Sequence, residues 1–550
     1  MRDPAYDAIV IGSGPSGSFA AKELTEQGLT VLMLEAGPKV GPEQFDPARK
    51  PAKPAAINVI ERAMATLKGQ GAQARAPFYR GMFSQFYVSD RDHPYTTPKD
   101  APYIWIRGRQ AGGRSHTFGR VLMRWSDDDF RAHSLTGNGV DWPISYDDLA
   151  PYYDEVEGFL GLYGNADGVE SLPDPVAKHP AHLSPAEEAF KANLERRFPA
   201  RHAVAWRAVA PTPDRIFPPL RAALETGLLT IRYDSIAARI LTEGGRATGV
   251  EVIDRESRAR ETLRADQILC AASPIETIRL LFNSADEAHP DGLGNSAGLL
   301  GRYFMDQLPM LGLGAFPEVP GWAEVAGFPE DPFYDPSGGI FIPRFDRASP
   351  DRGEFSFQGA IGRSPVPEGD PSALLFFGFG QMQPHADNRV MLDPRKKDRW
   401  GLPAPHIICK IRGADHALLA EQEEAFLSTI NGAGGVVEFL GSPHGIREWG
   451  RGAYPDESRL MRFLFKRFFH RVMVMGAGIH ECGGARMGND PAVSVTDDHG
   501  RLWDVQGVTL VDASTFAGSG VSGTTLTIMA QAVRSARAIA RATNRRQAAG

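Results

Sequence analysis

The sequence predicts an α/β fold, α+β overall. A Rossmann-type dinucleotide-binding domain is expected to be assembled from separated stretches of chain, with an antiparallel-sheet domain inserted into it. Three observations predict this. A glycine-rich strand–turn–helix–strand unit opens the chain. A second strand–turn–helix recurs near residue 270. Between 305 and 471, strand-like runs alternate with proline-rich loops.

The opening unit is the most informative. Asp7-Ala8-Ile9-Val10-Ile11 reads as a short buried strand. Ser18 to Gln27 carries Phe19, Ala20 and Leu24 at helical spacing, and Thr30 to Leu34 is a second apolar run ending at Glu35. Gly12-Ser13-Gly14-Pro15-Ser16-Gly17 joins the first strand to the helix. In a G-x-G-x-x-G turn the glycines permit a tight bend, close approach of backbone to a diphosphate, and close packing of helix on strand. A helix N-terminus adds unpaired N–H groups and positive potential. Gly12, Gly14, Ser16 and Gly17 are therefore the candidate diphosphate cradle. Glu35 is placed to accept hydrogen bonds from an adenosine ribose, and an acid there favours free hydroxyls over a 2′-phosphate.

Composition narrows the class. The chain has 550 residues, enough for two or three domains or for one dinucleotide domain with large insertions. Its net charge of −7, with no long basic run, argues against a nucleic-acid partner. The three cysteines, Cys270, Cys409 and Cys482, form no C-x-x-C pair, so neither a disulfide framework nor a metal site is expected. The chain runs straight into its first strand, leaving no room for a signal peptide, and no apolar stretch approaches the ~18 residues of a membrane span. A cytoplasmic location is expected, the alternative being periplasmic by co-export with a partner that carries the signal.

Further along, Ala55 to Leu67 looks helical, and 71 to 100 is irregular and rich in Tyr, Phe and Pro, as expected of a segment wrapping a cofactor or a site entrance. Trp105 to Arg120 crowds small residues (Ala111, Gly112, Gly113, Ser115, Gly119) into a short span. Such a span lets backbone approach something flat and bulky, such as an isoalloxazine ring; a plain glycine-rich surface loop is the alternative. A helix starts at Ser145 and keeps its period through Leu160. Residues 165 to 215 are proline-rich, with one helix near Pro185 to Phe198. Leu228 to Tyr233, Ala237 to Leu241, Thr248 to Ile253 and Asp266 to Cys270 read as strands. The last leads through Ala271 to Pro274 into a helix over Ile275 to Asn283, with Pro274 where a first helical residue is expected.

In the inserted region, Ile340-Phe341-Ile342 and Leu374 to Gln381 read as strands and His416 to Asn431 as a long helix. Phe376, Phe377, Phe379, Met382, His385 and Trp400 are candidate pocket residues, although most aromatics in such strands are core. Gly476 to Gly488 sets a single histidine, His480, among glycines. Val508 to Asp512 is a closing strand. Thr524 to Arg541 is a helix with Leu526, Met529, Ala530, Val533 and Ala536 on one face. The resulting division is 1–130, 216–305 and 472–550 for the dinucleotide domain, 131–215 for a mixed cap, and 306–471 for the substrate-binding domain.

Over nearly its whole length the chain resembles the glucose–methanol–choline (GMC) oxidoreductases. The specific features are Arg109-Gln110-Ala111-Gly112-Gly113-Arg114-Ser115, the run His480 to Gly488, and Val511-Asp512-Ala513 before the closing helix. Tyr95 to Pro98, Trp105 to Arg120, Asp141 to Ile144, and Asp387 to Val390 through Trp400-Gly401 are similar to the bacterial sugar-oxidising branch: glucoside 3-dehydrogenases, C-glycoside 3-oxidases and relatives of pyranose 2-oxidase.

The resemblance implies a Rossmann-type FAD domain of the p-hydroxybenzoate-hydroxylase/GMC kind. It implies hydride transfer from an alcohol to flavin N5 while His480 takes the hydroxyl proton. Arg109, Gly112, Gly113, Ser115, His116, Ala271, Asp512, Thr524 and Thr525 are expected around FAD, and Ser522, Gly523, Gln381 and His385 around substrate. The expected substrate is a sugar or glycoside, oxidised at a secondary hydroxyl, C3. The acceptor would be oxygen or a redox partner, and a small subunit or a homo-oligomer is possible. Alternatives are oxidation of a natural-product alcohol and a flavin-binding subunit impaired in catalysis.

Two departures stand out. Where the family commonly places a second His or Asn, followed by Pro, this chain has Gly523 and Thr524. Ser522, Thr524 or His116 are the candidates to fill that role. Thr117 occupies the position through which some relatives attach FAD covalently, with His116 one residue off, so non-covalent FAD is expected.

Overall fold

The computed structural model describes residues 6–49, 59–77, 79–319, 331–334, 338–363, 369–450, 459–469 and 471–549. The N-terminal strand, Tyr6–Ile11, is the hub of a seven-stranded sheet. It pairs in parallel with Val31–Leu34 on one side and with Arg260–Cys270 on the other. Parallel pairing continues outward to Leu229–Arg232 and to Val508–Leu510. Ala8 to Ile11 and Val31 to Leu34 are all buried, which is why they read as unbroken apolar runs rather than alternating ones.

Helices cover both faces. Ala20, Ala21 and Leu24 of Pro15–Glu26 pack with Leu220 and Ala223 and with Ala532, Ala536 and Ile539 of Thr525–Ala549. Ile275 and Ile278 of Pro274–Asn283 belong to the core on the other face, with Ile268 and Cys270.

Element boundaries differ from expectation for physical reasons. The first helix starts at Pro15, three residues early, because proline's fixed φ suits a first helical position and its missing N–H is not needed there. The strand expected over 266–270 begins at Arg260. Its first half pairs antiparallel with Arg246–Asp254, and its second half lies beside Tyr6–Ile11. In the first half only Leu263 and Ala265 turn inward while charged neighbours face out, so no apolar run marks it. The last helix runs to Ala549, eight residues past Arg541. Val59–Leu67 is helical, and the rest of the helix expected from Ala55 lies outside the described residues.

The inserted region, joined by Val204–Ala205 from the preceding segment, builds a second seven-stranded sheet, antiparallel throughout. Its order is Gly445–Glu448, Val436–Ser442, Leu308–Phe316, Ser372–Gly380, Phe355–Ile361, Ile340–Ile342 and Val204–Ala205. Pro185–Arg197 and Gly413–Gly432 cover one face, with Phe190, Leu194, Phe426 and Ile430 packed on Met310, Phe357 and Phe376. Side chains alternate along Ser372–Gly380, so Phe377 and Phe379 point away from those helices. No helix among the described residues is long and apolar enough to cross a membrane.

Candidate active site

At the first turn, two glycines are held by close packing and one looks into open space. Gly12 has φ +105°, and a Cβ there would lie 2.5 Å from the Ala271 carbonyl oxygen; a Cβ on Gly17 would lie 2.0 Å from that of Gly12. A Cβ on Gly14 would meet nothing within 4 Å. The helix that starts at Pro15, with Ser16 and Gly17 in its first turn, has no side-chain cap and no acidic residue there.

Glu35 is buried and accepts from the Ser13 hydroxyl (2.5 Å) and from the Gly37 N–H (2.9 Å); burial holds its carboxyl above the ordinary range. The same Ser13 oxygen accepts from the Gly112 N–H at 2.9 Å, which draws the mid-chain loop over the first turn. A Cβ on Gly113 would stand 3.4 Å from Gly14 Cα. Arg109 pairs with Glu276 at 2.8 Å while its own Nη1 is buried without a hydrogen-bond partner. Burial pushes Glu276 up, but Arg109 and then Arg279 outweigh it and bring the carboxyl down to about 2. Asp512 accepts from Ser514 N–H (2.9 Å) and Thr277 Oγ1 (2.5 Å), and Ser514 Oγ, also buried, has no partner.

An uncapped helix end, open space above Gly14 and an orphaned guanidinium nitrogen fit a dinucleotide diphosphate. Gly14→Ala tests this. Gly14 has φ −66°, so alanine strains no backbone and touches no protein atom. The expected result is an unchanged apoprotein melting temperature with FAD affinity about tenfold weaker, close to 1.4 kcal/mol, by titration.

At the other end stands His480. Its loop folds around a buried carboxylate: Asp306 accepts from the N–H groups of Gly476 (2.8 Å), His480 (2.9 Å) and Gln307 (2.8 Å). This explains the glycines. Gly476 has φ +89° and a Cβ there would lie 1.9 Å from the Ile104 carbonyl oxygen, while one on Gly478 would stand 3.0 Å from Asp306. Burial, then the charge of Glu481, raises Asp306 to about 7 against those three donors. Glu481 forms an ion pair with Arg114, which also donates to Ser273 Oγ at 3.0 Å.

The imidazole's tautomer follows from its neighbour. Gln307 Nε2 donates to the carbonyls of Ser519 (2.8 Å), Gly520 (3.1 Å) and Ser522 (2.8 Å). Its amide oxygen is thereby turned toward His480 Nδ1, 2.6 Å away. An amide oxygen only accepts, so Nδ1 carries the proton and Nε2 keeps its lone pair. Burial, then Arg114, lowers the His480 pKa to about 4, so the ring is neutral at pH 7. Phe379 packs on it, ring centroids 4.9 Å apart. A Cβ on Gly523 would stand 3.9 Å from Nε2 and 3.7 Å from the Val121 carbonyl oxygen, so the missing side chain leaves room in front of the base.

Other expected site residues are placed unevenly. The Ser522 side chain is buried, and its carbonyl binds Gln307. The Thr524 carbonyl accepts the Ile528 N–H at the start of the last helix, which Thr525 opens. Ser115 and His116 line a small, half-open cleft with Phe118, Arg120 and Tyr334. His116 does not supply the second polar group near His480. Its Nε2 lies 3.0 Å from the Ala111 carbonyl oxygen and its ring packs against Phe45 and Phe86, in an aromatic cluster that holds it under the Gly112 backbone.

Of the six pocket candidates, only Phe379 has its ring on His480. Phe376 is core beneath Phe426, and Phe377 packs in a separate cluster with Leu311 and Phe439. Met382 packs on Cys409, and His385 lies 3.4 Å from Asp415. Trp400 stacks on His93 and donates to the Arg255 carbonyl. The Gln381 N–H donates to the Glu354 carbonyl, and its amide nitrogen lies near Gly518.

Asp306 and Gln307 were not among the expected residues. The available signal is a carboxylate and an amide side by side inside the apolar run Phe304-Met305-Asp306-Gln307-Leu308.

Fold and site together define an FAD-dependent oxidoreductase. Residues 384–532 match the GMC oxidoreductase family, and residues 10–79 match the NAD(P)-binding Rossmann-like domain. The chain is 28% identical to the 2-methyl-1,2-propanediol dehydrogenase of Mycolicibacterium austroafricanum, over 97% of this chain and 95% of that one. It is 26% identical to the C-glycoside 3-oxidase of Microbacterium trichothecenolyticum, over 97% and 96%. Among solved structures, the pyridoxine 4-oxidase of Mesorbium loti shares the fold, with a TM-score of 0.62 at 20% identity, covering 97% of this chain and 99% of that one. These matches make the chain similar, over nearly its whole length, to the GMC oxidoreductases, enzymes that act on CH–OH donors.

Proposed function

We propose that the protein oxidises a secondary ring hydroxyl of a sugar or glycoside, at C3, to the ketone. The observation that carries the chemistry is the neutral imidazole of His480, its Nε2 lone pair facing the space that Gly523 leaves free. The choice of sugar and of C3 rests on the motifs of the sugar-oxidising branch and on likeness to a C-glycoside 3-oxidase. FAD, when bound, supplies the acceptor for the hydride that leaves the carbinol carbon. His480 takes the hydroxyl proton at Nε2, and Gln307 keeps the other ring nitrogen protonated and the ring in place. Phe379 closes one side of the imidazole against water.

A second reading has one specific support. The only oxidisable carbinol in 2-methyl-1,2-propanediol is primary, and the dehydrogenase of that diol is similar over nearly the whole chain. Anaerobic stopped-flow reduction with a panel of glycosides, 3-deoxy glycosides and small diols decides between the two. The C3 reading expects bleaching by glycosides and none by their 3-deoxy analogues. Reduction by 3-deoxy glycosides moves the assignment off C3 to another hydroxyl, reduction only by diols moves it to a primary hydroxyl, and no reduction by any of them supports a subunit impaired in catalysis. Reoxidation of the reduced enzyme in air then separates an oxidase from a dehydrogenase.

FAD is held without a covalent bond in this reading, since Thr117 stands where an attached histidine would be needed. Acid precipitation should release all the flavin into the supernatant; yellow colour retained in the pellet would contradict it.

A further inference from the structure

Residues Arg459–Phe469 form a helix whose sequence, Arg-Leu-Met-Arg-Phe-Leu-Phe-Lys-Arg-Phe-Phe, holds four cationic residues and no acidic one, in a chain whose net charge is −7. One end is anchored. Phe469 is buried against Phe439, ring centroids 4.9 Å apart, and the Arg62 guanidinium lies over the Phe468 ring at 5.2 Å. Lys466 ties the helix to the adjoining hairpin through Glu448 at 2.7 Å.

The outer face is apolar. Leu460, Phe463 and Leu464 are 66%, 60% and 36% exposed, and their i, i+3, i+4 spacing puts them on one face. Among the described residues no other stretch of five exposes three large apolar side chains. Arg459 stands at the N-terminal end of that face and Arg467, one turn past Phe463 and Leu464, at its C-terminal end, and both are exposed. Trp449, 51% exposed just past the hairpin, carries the Arg447 guanidinium over its ring at 5.1 Å.

We propose that this face seats the protein on an anionic membrane surface. Leu460, Phe463 and Leu464 would enter the headgroup boundary, with Trp449 at its edge and Arg459 and Arg467 meeting lipid phosphates. A helix lying in the plane of the interface needs such a pattern: apolar side chains on one strip and cations beside it. The charge selects the occupant. Two-fold pairing of a second copy through the same patch would bring Arg459 and Arg467 up against their equivalents, which is unfavourable. A lipid surface supplies hydrocarbon and negative charge together, and each nearby cation strengthens binding about fivefold. The inference is independent of which alcohol the site oxidises.

Co-sedimentation of the holoprotein with phosphatidylcholine vesicles, with and without phosphatidylglycerol, tests it. Binding is expected to the anionic vesicles at about 0.05 M salt and to be lost at about 0.5 M, where screening is strong. Leu460→Ser with Phe463→Ser should lower the partition coefficient about tenfold or more. Arg459→Glu with Arg467→Glu, which leaves the apolar strip intact, should lower it about 25-fold or more. Both variants should keep flavin absorbance and dye-linked alcohol oxidation. Three results would overturn the assignment: no binding to anionic vesicles, binding unchanged in both variants, or a dimer in sedimentation velocity that Phe463→Ser dissociates.

Discussion

His480→Ala should slow reduction of bound FAD by substrate about a thousandfold while leaving flavin content and absorbance as they are. The size follows from what is removed. Among the described residues His480 offers the neutral ring nitrogen that faces the Gly523 gap, and Gly523 has no side chain to share the work. The loop itself should survive, because Asp306 holds it through backbone N–H groups and the imidazole does not contribute to those bonds.

The wild-type pH profile is a second readout. The reactive form is the unprotonated ring, and its pKa is lowered to about 4 by burial and by Arg114. Activity should therefore stay level as pH falls through 6.5 and drop only near 4; a profile already falling at pH 6.5 would contradict the buried, neutral base. Folding responds in the same direction. Between the two values the unfolded chain binds a proton that the folded chain refuses, so stability falls as pH drops from about 6.5 toward 4.

Much of the cofactor end was legible in the sequence because its information is local. Gly12 to Gly17 and Glu35 lie on one βαβ unit, and strand, turn and helix follow each other in the chain. The glycines around His480 were legible for a related reason: a loop that wraps a buried carboxylate and turns at φ +89° needs them. Their partner was not legible. Asp306 and Gln307 lie more than 170 residues before His480, and periodicity tells which face a residue occupies, not which distant loop it meets.

His116 shows the same limit from the other side: its place in the chain suggested the second polar group near His480, but Phe45 and Phe86, brought in from elsewhere, hold its ring.

Gln307 has the next largest expected effect. It performs two tasks with one amide: it holds His480 Nδ1 and it gathers the carbonyls of Ser519, Gly520 and Ser522 just ahead of Gly523. Gln307→Leu keeps much of the volume and removes both. The imidazole is then free to carry its proton on Nε2, the wrong nitrogen, and the buried carbonyls lose their donor at a cost of about 1–3 kcal/mol. Flavin reduction at saturating substrate should fall about a hundredfold with KM changed little, since Gln307 lies behind the base rather than against substrate.

Gln307→Glu separates positioning from packing. A carboxylate still accepts the Nδ1 proton, and it stabilises the imidazolium, so the acid limb of the pH profile should move up from about 4. A merely structural glutamine would lower thermal stability in both variants and leave the pH at which activity is lost unmoved, and that result would remove Gln307 from the mechanism.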